Sequence, residues 1–504
     1  MTEAAKPKGA KPETLRPDRM LLARERNVGF TSRRVFSDEN ARAERLAGAM
    51  AGRAGLASAN AAVGQLLKSA LGEPSDAEPS DFAMDEFESP GDGVPIGFAD
   101  LVRPLSPREF FARQYRRRGP MLFRGPPDRF SPLMGWDDLN EIIEARNLKP
   151  PQLQVVSEGQ TFPATDLFSR RYGLGWRPLY PAGERIDGHS LTRLLQNRAT
   201  LLISSIGTVH EPINALIAAI EASLGTHASA NLYVSYRNQR GFTTHWDSHD
   251  VYVLQVRGCK DWRLFGEVRP APTEADVAPN LLPPPRPVWT GTIKSGDLLF
   301  IPRGWWHDAR IPEEREGEGS IHLTMQLQQY TGRDVLIWLA TKLAAGSELF
   351  RSNVPIHAGP EAADAYRNDL ARLVDEAWRQ FTVESFADDM RAAWSEDTSV
   401  HLDQRIDSWT RPDWDAHRIV VRGARQATLR PGPDASSFRL VANGFTYRFD
   451  SRCRPLVTAM LADGVCVGDL KRIDPQRFPA SFVDGFLATL LGANTVRTAP
   501  PESA

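Results

Sequence analysis

Short apolar, β-branched runs, each cut off by a proline or glycine turn, dominate the chain from about residue 150 to 330. They are LQVVS, TLLISSI, ANLYVSY, DVYVLQV, DWRLF, DLLFIP and IHLTMQL. Runs this short and frequent predict the strands of a sandwich or barrel. Two helical patches interrupt them, HSLTRLLQN and EPINALIAAIEASLG, the second closed by Gly225, the residue type a helix C-terminus favours. Upstream, SPREFFARQYRRRG predicts a helix with Ser106 as N-cap and Pro107 in its first turn, and with Phe110, Phe111 and Tyr115 as its apolar side. MLF at 121–123 then reads as a strand. From Arg333 the period changes to that of a helix. Tyr366, Leu370, Leu373, Val374, Ala377, Trp378 and Phe381 recur at three- and four-residue steps, an amphipathic stripe. After Ser408, FRLVA-NG-FTYRF predicts a hairpin turning at Asn443-Gly444, followed by helical RPLVTAMLA and PASFVDGFLATLLG. There is no internal repeat.

These changes of period divide the 504 residues into a tail (1–95), a mainly β unit (96–330), a helical unit (331–400) and an α+β C-terminal unit (401–504). Composition alters this picture only at the tail. Residues 72–93 carry eight acidic side chains and no basic one, a stretch that cannot bury a core, so the tail is expected to be largely disordered, with a weak helix in ARAERLAGAMAGRAGLASANAAVGQLLKSAL. Its basic first part reads either as an arm for RNA or an acidic partner, or as a solvated tail. The formal net charge of −2 gives no general attraction to nucleic acid. The three cysteines, Cys259, Cys453 and Cys466, fit neither a disulfide framework nor a zinc knuckle, which points to a reducing cytoplasm. The charged N-terminus lacks a signal-peptide core, and no run approaches the roughly 20 apolar residues of a membrane span. A cytoplasmic protein is expected.

The chemistry is concentrated in FTTHWDSHDVYVLQV, residues 242–256. A strand puts side chains at i and i+2 on one face, so His245 and Asp247 point the same way. Imidazole plus carboxylate at that spacing can hold one side of a divalent metal, and the ligand set suits non-haem Fe(II) with open positions. A third ligand must come from elsewhere. His307 is the candidate, in SGDLLFIPRGWWHDA, where Pro302 and Gly304 bend the chain after an apolar strand. A lone His-X-Asp or a lone histidine after a strand carries little weight, but the two together, each at the edge of an apolar strand, are far more specific.

With those residues in place, the chain resembles the JmjC-type, cupin-fold oxygenases, and most closely their ribosomal oxygenase branch. The resemblance rests on ANLYVSYRNQRGFTTHWDSHDVYVLQVRGCKDWRLF and SGDLLFIPRGWWHDARI…GSIHLTMQL. It implies a mainly β catalytic core, a double-stranded β-helix, followed by an α-helical dimerisation module and a winged-helix-like C-terminal domain. It implies an Fe(II)- and 2-oxoglutarate-dependent dioxygenase using O2, a hydroxylase of Arg or His side chains in a ribosomal protein, and a homodimer. His245, Asp247 and His307 match the iron ligands. Lys260 in GCKDW matches the basic residue that grips the far carboxylate of 2-oxoglutarate, Asn231 matches a polar residue that lines the same pocket, and Gln326 is a further candidate to border it. A buried counter-charge is physically required there, because an unpaired buried carboxylate is costly. Thirteen positions separate Asp247 from Lys260, an odd number, so a turn or bulge around Ser248 to Asp250 is expected to reset the strand.

Other residues remain open at this stage. His249 is either a substrate or outer ligand contact or a packing histidine. His322 is a candidate to support the metal site. Trp246, Trp305 and Trp306 are candidate walls or ordinary core. Asp250 and Asp308 are expected to form an acidic patch for a basic substrate side chain, or else to cap strand ends. The alternatives in function are the same chemistry on a biosynthetic peptide, demethylation of an N-methylated protein, or an inactive cupin scaffold. The C-terminal unit has no dense basic helix, so direct nucleic-acid binding is not expected.

Overall fold

The computed structural model describes residues 21–26, 82–90, 95–117, 119–146, 148–170, 184–273, 282–393, 419–422, 427–432, 434–442, 445–462, 464–492 and 495–499. The chain divides into two compact units, Lys68–Gln329 on one side and Met1–Leu67 with Tyr330–Ala504 on the other.

In the first unit, Phe168–Arg170 and Glu184–Ile186 form a two-stranded pair, and twelve further strands form the two main sheets. They are β1 (Asp85–Glu88), β2 (Met121–Arg124), β3 (Leu153–Ser157), β4 (Gln160–Thr161), β5 (Thr200–Ile203), β6 (Ala228–Ser235), β7 (Val251–Arg257), β8 (Cys259–Glu267), β9 (Trp289–Lys294), β10 (Leu298–Ile301), β11 (Trp305–Arg310) and β12 (Ser320–Leu327). Nine form a large sheet in the order β1-β2-β10-β7-β12-β6-β5-β3-β4, and β9-β8-β11 form a small one. The apolar pattern of β7 explains how the two sheets are layered. Tyr252, Leu254 and Val256 point out of the barrel into a core shared with helices α1 (Pro107–Arg117) and α2 (Glu211–Leu224), around Phe98, Phe110 and Ile213. Val251 and Val253 point inward and pack with Trp262, Leu264, Ile293 and Trp305 of the small sheet. This is the expected double-stranded barrel, with one core outside the large sheet and one between the sheets.

Most predicted elements fall where the pattern put them, and Gly225 ends α2 with a left-handed φ of 66°. Several details differ. His307 does not follow a strand; it lies inside β11, which the Pro302–Gly304 turn hid from the sequence pattern. Tyr115 is 82% exposed, because it stands five residues and about 140° beyond Phe110 on α1. Two short strands lie in the stretch expected to be disordered. Asp85–Glu88 extends the large sheet parallel to β2. Its acidic side chains find cations, Asp85 facing Arg113 at 3.4 Å and Glu86 facing Arg124 at 3.7 Å. Leu21–Arg26 pairs antiparallel with Phe445–Asp450. The proposed helix over residues 41–71 and the rest of the tail lie outside the described residues.

In the second unit, α3 (Gly332–Gly346), α4 (Pro360–Gln380) and α5 (Val383–Ala393) follow the predicted period. They share a small core of Trp338, Leu339, Phe386 and Met390. No residue of α4 is buried, and Trp378 is 50% exposed. Trp394 lies outside the described residues. Strands Ser437–Ala442 and Phe445–Asp450 pair as the predicted hairpin does, with Ala442 opposite Phe445, and the predicted turn at Asn443-Gly444 lies outside the described residues. Helices α6 (Arg454–Met460) and α7 (Ala480–Gly492) pack on it through Phe438, Tyr447, Phe449, Phe482 and Phe486.

Candidate metal centre and its cavity

His245 and His307 face each other as an antiparallel pair. Each gives its backbone N–H to the other's carbonyl, at 3.1 and 2.7 Å. A doubly bonded pair of this kind holds its Cα atoms about 5.5 Å apart, so the two side chains start from fixed, adjacent points on one face. Asp247, two residues on, shares that face. Its carbonyl accepts from the Gly304 N–H at 2.9 Å, which joins the Pro302–Gly304 turn to the first ligand segment. Gly304 has φ 86°, and a Cβ there would press on Pro272, so this turn requires glycine. One ligand atom from each of His245, Asp247 and His307 lies within 4.8 Å of the others.

The imidazoles are also oriented. His245 Nδ1 bonds the Thr243 carbonyl at 2.8 Å, and His307 Nδ1 bonds the Trp305 carbonyl at 2.9 Å. A carbonyl only accepts, so both protons sit on Nδ1 and both Nε2 lone pairs are free. His307 Nε2 lies 3.5 Å from an Asp247 carboxylate oxygen. Burial, reinforced by His245, holds His307 well below its ordinary pKa, so it is neutral at pH 7, the form that ligates a metal. Two Nε2 lone pairs and one carboxylate converging from one side fit a divalent ion with open positions.

The triad opens into a cavity of about 160 Å³ between the sheets, lined also by Asn231, Tyr233, Lys260, Trp262, His322 and Gln326. Period-2 alternation supplies this lining. Along β12, Ile321, Leu323, Met325 and Leu327 face the outer core while His322, Thr324 and Gln326 face the cavity. Asn231 accepts from the Ser205 N–H at 3.0 Å, and Gln326 donates to Ser229 Oγ at 2.7 Å.

Lys260 is 5% exposed and donates to Ser235 Oγ at 3.1 Å, and Ser235 in turn is 2.9 Å from Thr200 Oγ1. Burial pushes its pKa down to about 7. The expected reset of strand register occurs, but not at Ser248–Asp250. Alternation runs unbroken from Asp247 through His249 to Val251 along the cavity. It slips between Gln255 and Arg257 and then at Gly258, where φ is 68° and a Cβ would stand 2.3 Å from the Gly319 carbonyl. A left-handed glycine between two strands costs no ladder contact near the ligands, whereas a bulge at 248–250 would have moved them.

The structure bears on three readings that the sequence left open. Trp246, Trp305 and Trp306 are not among the cavity residues; Trp305 packs in the core against Phe82, with ring centroids 4.9 Å apart and planes tilted by 54°, and Trp262 is the tryptophan wall. Asp308 cannot receive a substrate cation, because Arg263 binds it at 2.8 and 2.7 Å, Thr244 at 2.6 Å and Arg240 at 3.5 Å. Burial alone would raise its pKa, but the bonds from Arg263 and Thr244 outweigh that and keep it low. Asp250 accepts from the Arg303 N–H at 2.9 Å and from Gln114, and burial raises its pKa. It lines a second cavity of about 280 Å³ that shares His249 and Gln326 with the first. Sequence reading missed Tyr233, Thr324 and Ser235, although each sits two residues from a position it had marked or on the same alternating face.

Residues 208–335 match the JmjC domain family. Ribosomal oxygenase 1 of Gallus gallus is 27% identical over 297 residues, 55% of this chain and 46% of that one. The bifunctional lysine-specific demethylase and histidyl-hydroxylase NO66 of Caenorhabditis elegans is 25% identical over 241 residues, 47% of this chain and 30% of that one. The chain spans less than half the length of these curated relatives. Among solved structures, the ribosomal oxygenase YcfD of Escherichia coli in complex with cobalt and 2-oxoglutarate aligns at TM-score 0.45 and 16% identity, covering 77% of this chain and 98% of that one. The match to the JmjC domain family covers residues 208–335 of the β unit, and the chain is similar to ribosomal oxygenases. Among the described residues, no helix is long and apolar enough to cross a membrane.

Proposed function

We propose that the protein is an Fe(II)- and 2-oxoglutarate-dependent hydroxylase of an Arg or His side chain in a ribosomal protein. The observation that carries this reading is the pairing of a one-sided His-Asp-His cluster with a buried lysine in one small cavity. His245, Asp247 and His307 would hold Fe(II), and the bound metal with 2-oxoglutarate and O2 supplies the oxidising chemistry for C–H hydroxylation. The chain's own part is binding and orientation. The Nδ1–H bonds to Thr243 and Trp305 keep both imidazoles aimed. Lys260, reprotonated as it meets an anion, neutralises the far carboxylate of the co-substrate. Tyr233 and Trp262 shape the walls, and the outer cavity at His249 and Asp250 receives the substrate. The same geometry serves demethylation of an N-methyl group, an activity that the name of the NO66 relatives includes.

The helical unit (331–400) is proposed as a homodimerisation module, supported by the unburied apolar stripe of α4. The C-terminal unit (401–504) is proposed as winged-helix-like and the location as cytoplasmic. The deciding experiment is mass spectrometry of ribosomal proteins from cells with and without this gene. A gain of one oxygen on an Arg or His, restored by the wild-type gene and not by Asp247→Ala, supports the proposal. No such gain on any ribosomal protein removes the ribosomal substrate, and a change in N-methylation instead moves the reading to demethylation.

A further inference from the structure

Besides the triad, the cavity lining holds two buried groups capable of positive charge. Lys260 and His322 are 5% and 4% exposed, and both line the cavity. His322 is held well below its ordinary pKa by burial and, next, by Lys260, while burial alone lowers that of Lys260. Its ring is fixed on two sides. It stacks on Tyr233 with centroids 4.8 Å apart and planes at 4°, and it meets Trp262 edge-on at 6.0 Å and 80°. Its Nδ1 is sealed from solvent and has no hydrogen-bond partner.

That sealed nitrogen decides the tautomer. A buried N–H without an acceptor loses a hydrogen bond it could have kept in water, and a proton has a better place on the nitrogen facing open space. The proton therefore sits on Nε2, directed into the cavity. A neutral imidazole in that form is a donor, set beside the lysine that would meet an incoming anion. A carboxylate has two oxygens and about four lone-pair sites, and it is poorly served by one ammonium already engaged with Ser235.

Resting on the co-substrate reading above, we infer that His322 is a second donor to the far carboxylate of 2-oxoglutarate, binding through Nε2–H beside Lys260. The stacking on Tyr233 and Trp262 then positions the donor; it is not the reason for a histidine. Nothing in packing alone requires one, since phenylalanine fills the same stack with no orphaned nitrogen.

Two variants separate donor from stack. His322→Phe keeps the aromatic packing and removes the donor. His322→Gln loses the stack and keeps an N–H donor. Binding of 2-oxoglutarate to cobalt(II)-loaded full-length protein is measured by anaerobic calorimetry, with cobalt(II) affinity measured separately. The expected result is a roughly 10- to 100-fold loss of 2-oxoglutarate affinity in His322→Phe, a smaller loss in His322→Gln, and unchanged cobalt affinity in both. If His322→Phe binds 2-oxoglutarate like the wild type, or if the two variants lose it equally, the donor role is overturned. If the cobalt-loaded wild type itself does not bind 2-oxoglutarate, the co-substrate reading fails first, a different outcome from either.

Discussion

Residues 200–327 and residues 332–393 break the usual partition of polar and apolar side chains in opposite directions. The first region buries polar side chains: Lys260, His307, Asp308 and His322 are each 5% exposed or less. The second leaves apolar ones in solvent: Leu336 is 60% exposed, Trp378 50% and Val383 67%. Each departure costs stability, so each calls for a compensating ligand. A buried cation wants a small anion that fits between two sheets. An exposed apolar stripe wants a surface as long as itself. The contrast supports the proposals of small-molecule chemistry in one region and macromolecular association in the other, and it can be tested one region at a time.

The largest effect is expected at the triad. Asp247→Ala or His307→Ala should abolish cobalt(II) or Fe(II) binding at micromolar protein, a loss beyond the roughly 10- to 100-fold typical of removing an outer partner. Anaerobic metal titration checks it, and retained stoichiometric binding in both variants would mean that the polar cluster is structural. Next comes Lys260→Met. Loss of a charge-assisted bond to a buried carboxylate costs about 2 to 3 kcal/mol, roughly 30- to 150-fold in 2-oxoglutarate affinity.

Lys260 also gives the site a pH signature. Its folded pKa is lowered to about 7 from 10.5. Between those values the unfolded chain holds a proton that the folded chain has released, so stability of the ligand-free protein rises with pH across that window. A bound carboxylate reverses the preference. Binding of 2-oxoglutarate at pH 8 should therefore take up a proton, and affinity should fall as pH rises above about 7. Calorimetry in two buffers of different ionisation enthalpy reads the uptake directly, and a binding heat independent of buffer would show that Lys260 is already charged in the free protein.

The opposite region predicts a change of mass and none of ligand affinity. Trp378→Asp places a charge on the unburied stripe of α4. If that stripe is a dimer contact, losing a large aromatic from it should cost about 2 kcal/mol or more, roughly 30-fold in dimer affinity. Light scattering should then shift from twice 56.0 kDa toward 56.0 kDa, with 2-oxoglutarate binding unchanged. A wild type already at the monomer mass would end the dimer proposal.

How much of this could be read beforehand depended on where the cause of each feature lay. Strands β6, β7, β8, β10 and β12 were legible because their apolar alternation is local. The cluster of His245, Asp247 and His307 was legible because two of its members stand two residues apart just before an apolar strand and the third follows a glycine turn. What escaped had non-local causes. Strand β11 carries WWHDAR, whose histidine and aspartate look like loop residues until their partners, His245 and Arg263, are known. The slip at Gly258 exists because the Gly319 carbonyl occupies the space of its Cβ. Asp308 looked available to a substrate because nothing in its neighbourhood of sequence announces Arg263, Arg240 and Thr244.

That last misreading yields the smallest and most discriminating prediction. Thr244 precedes one histidine of the cluster and Asp308 follows the other, and the 2.6 Å bond between them lies alongside the His245–His307 backbone pair. Arg263, opposite Asp308 on β8, holds the carboxylate with two bonds, so the clasp ties both histidines to the small sheet. Asp308→Asn keeps the shape and one acceptor oxygen but removes the charge, and Arg263 is open enough to solvent that it is not stranded as a buried cation. The fold should survive, while the imidazoles gain freedom. Metal affinity is expected to fall about tenfold, the lower end for an outer partner, with 2-oxoglutarate affinity of the metal-saturated protein nearly unchanged. Thr244→Val, which cuts only the link between the two segments, should show the same sign at smaller size. If Asp308→Asn lowers the melting temperature sharply yet leaves metal affinity intact, the network belongs to the fold, and the backbone pair alone aims the two histidines.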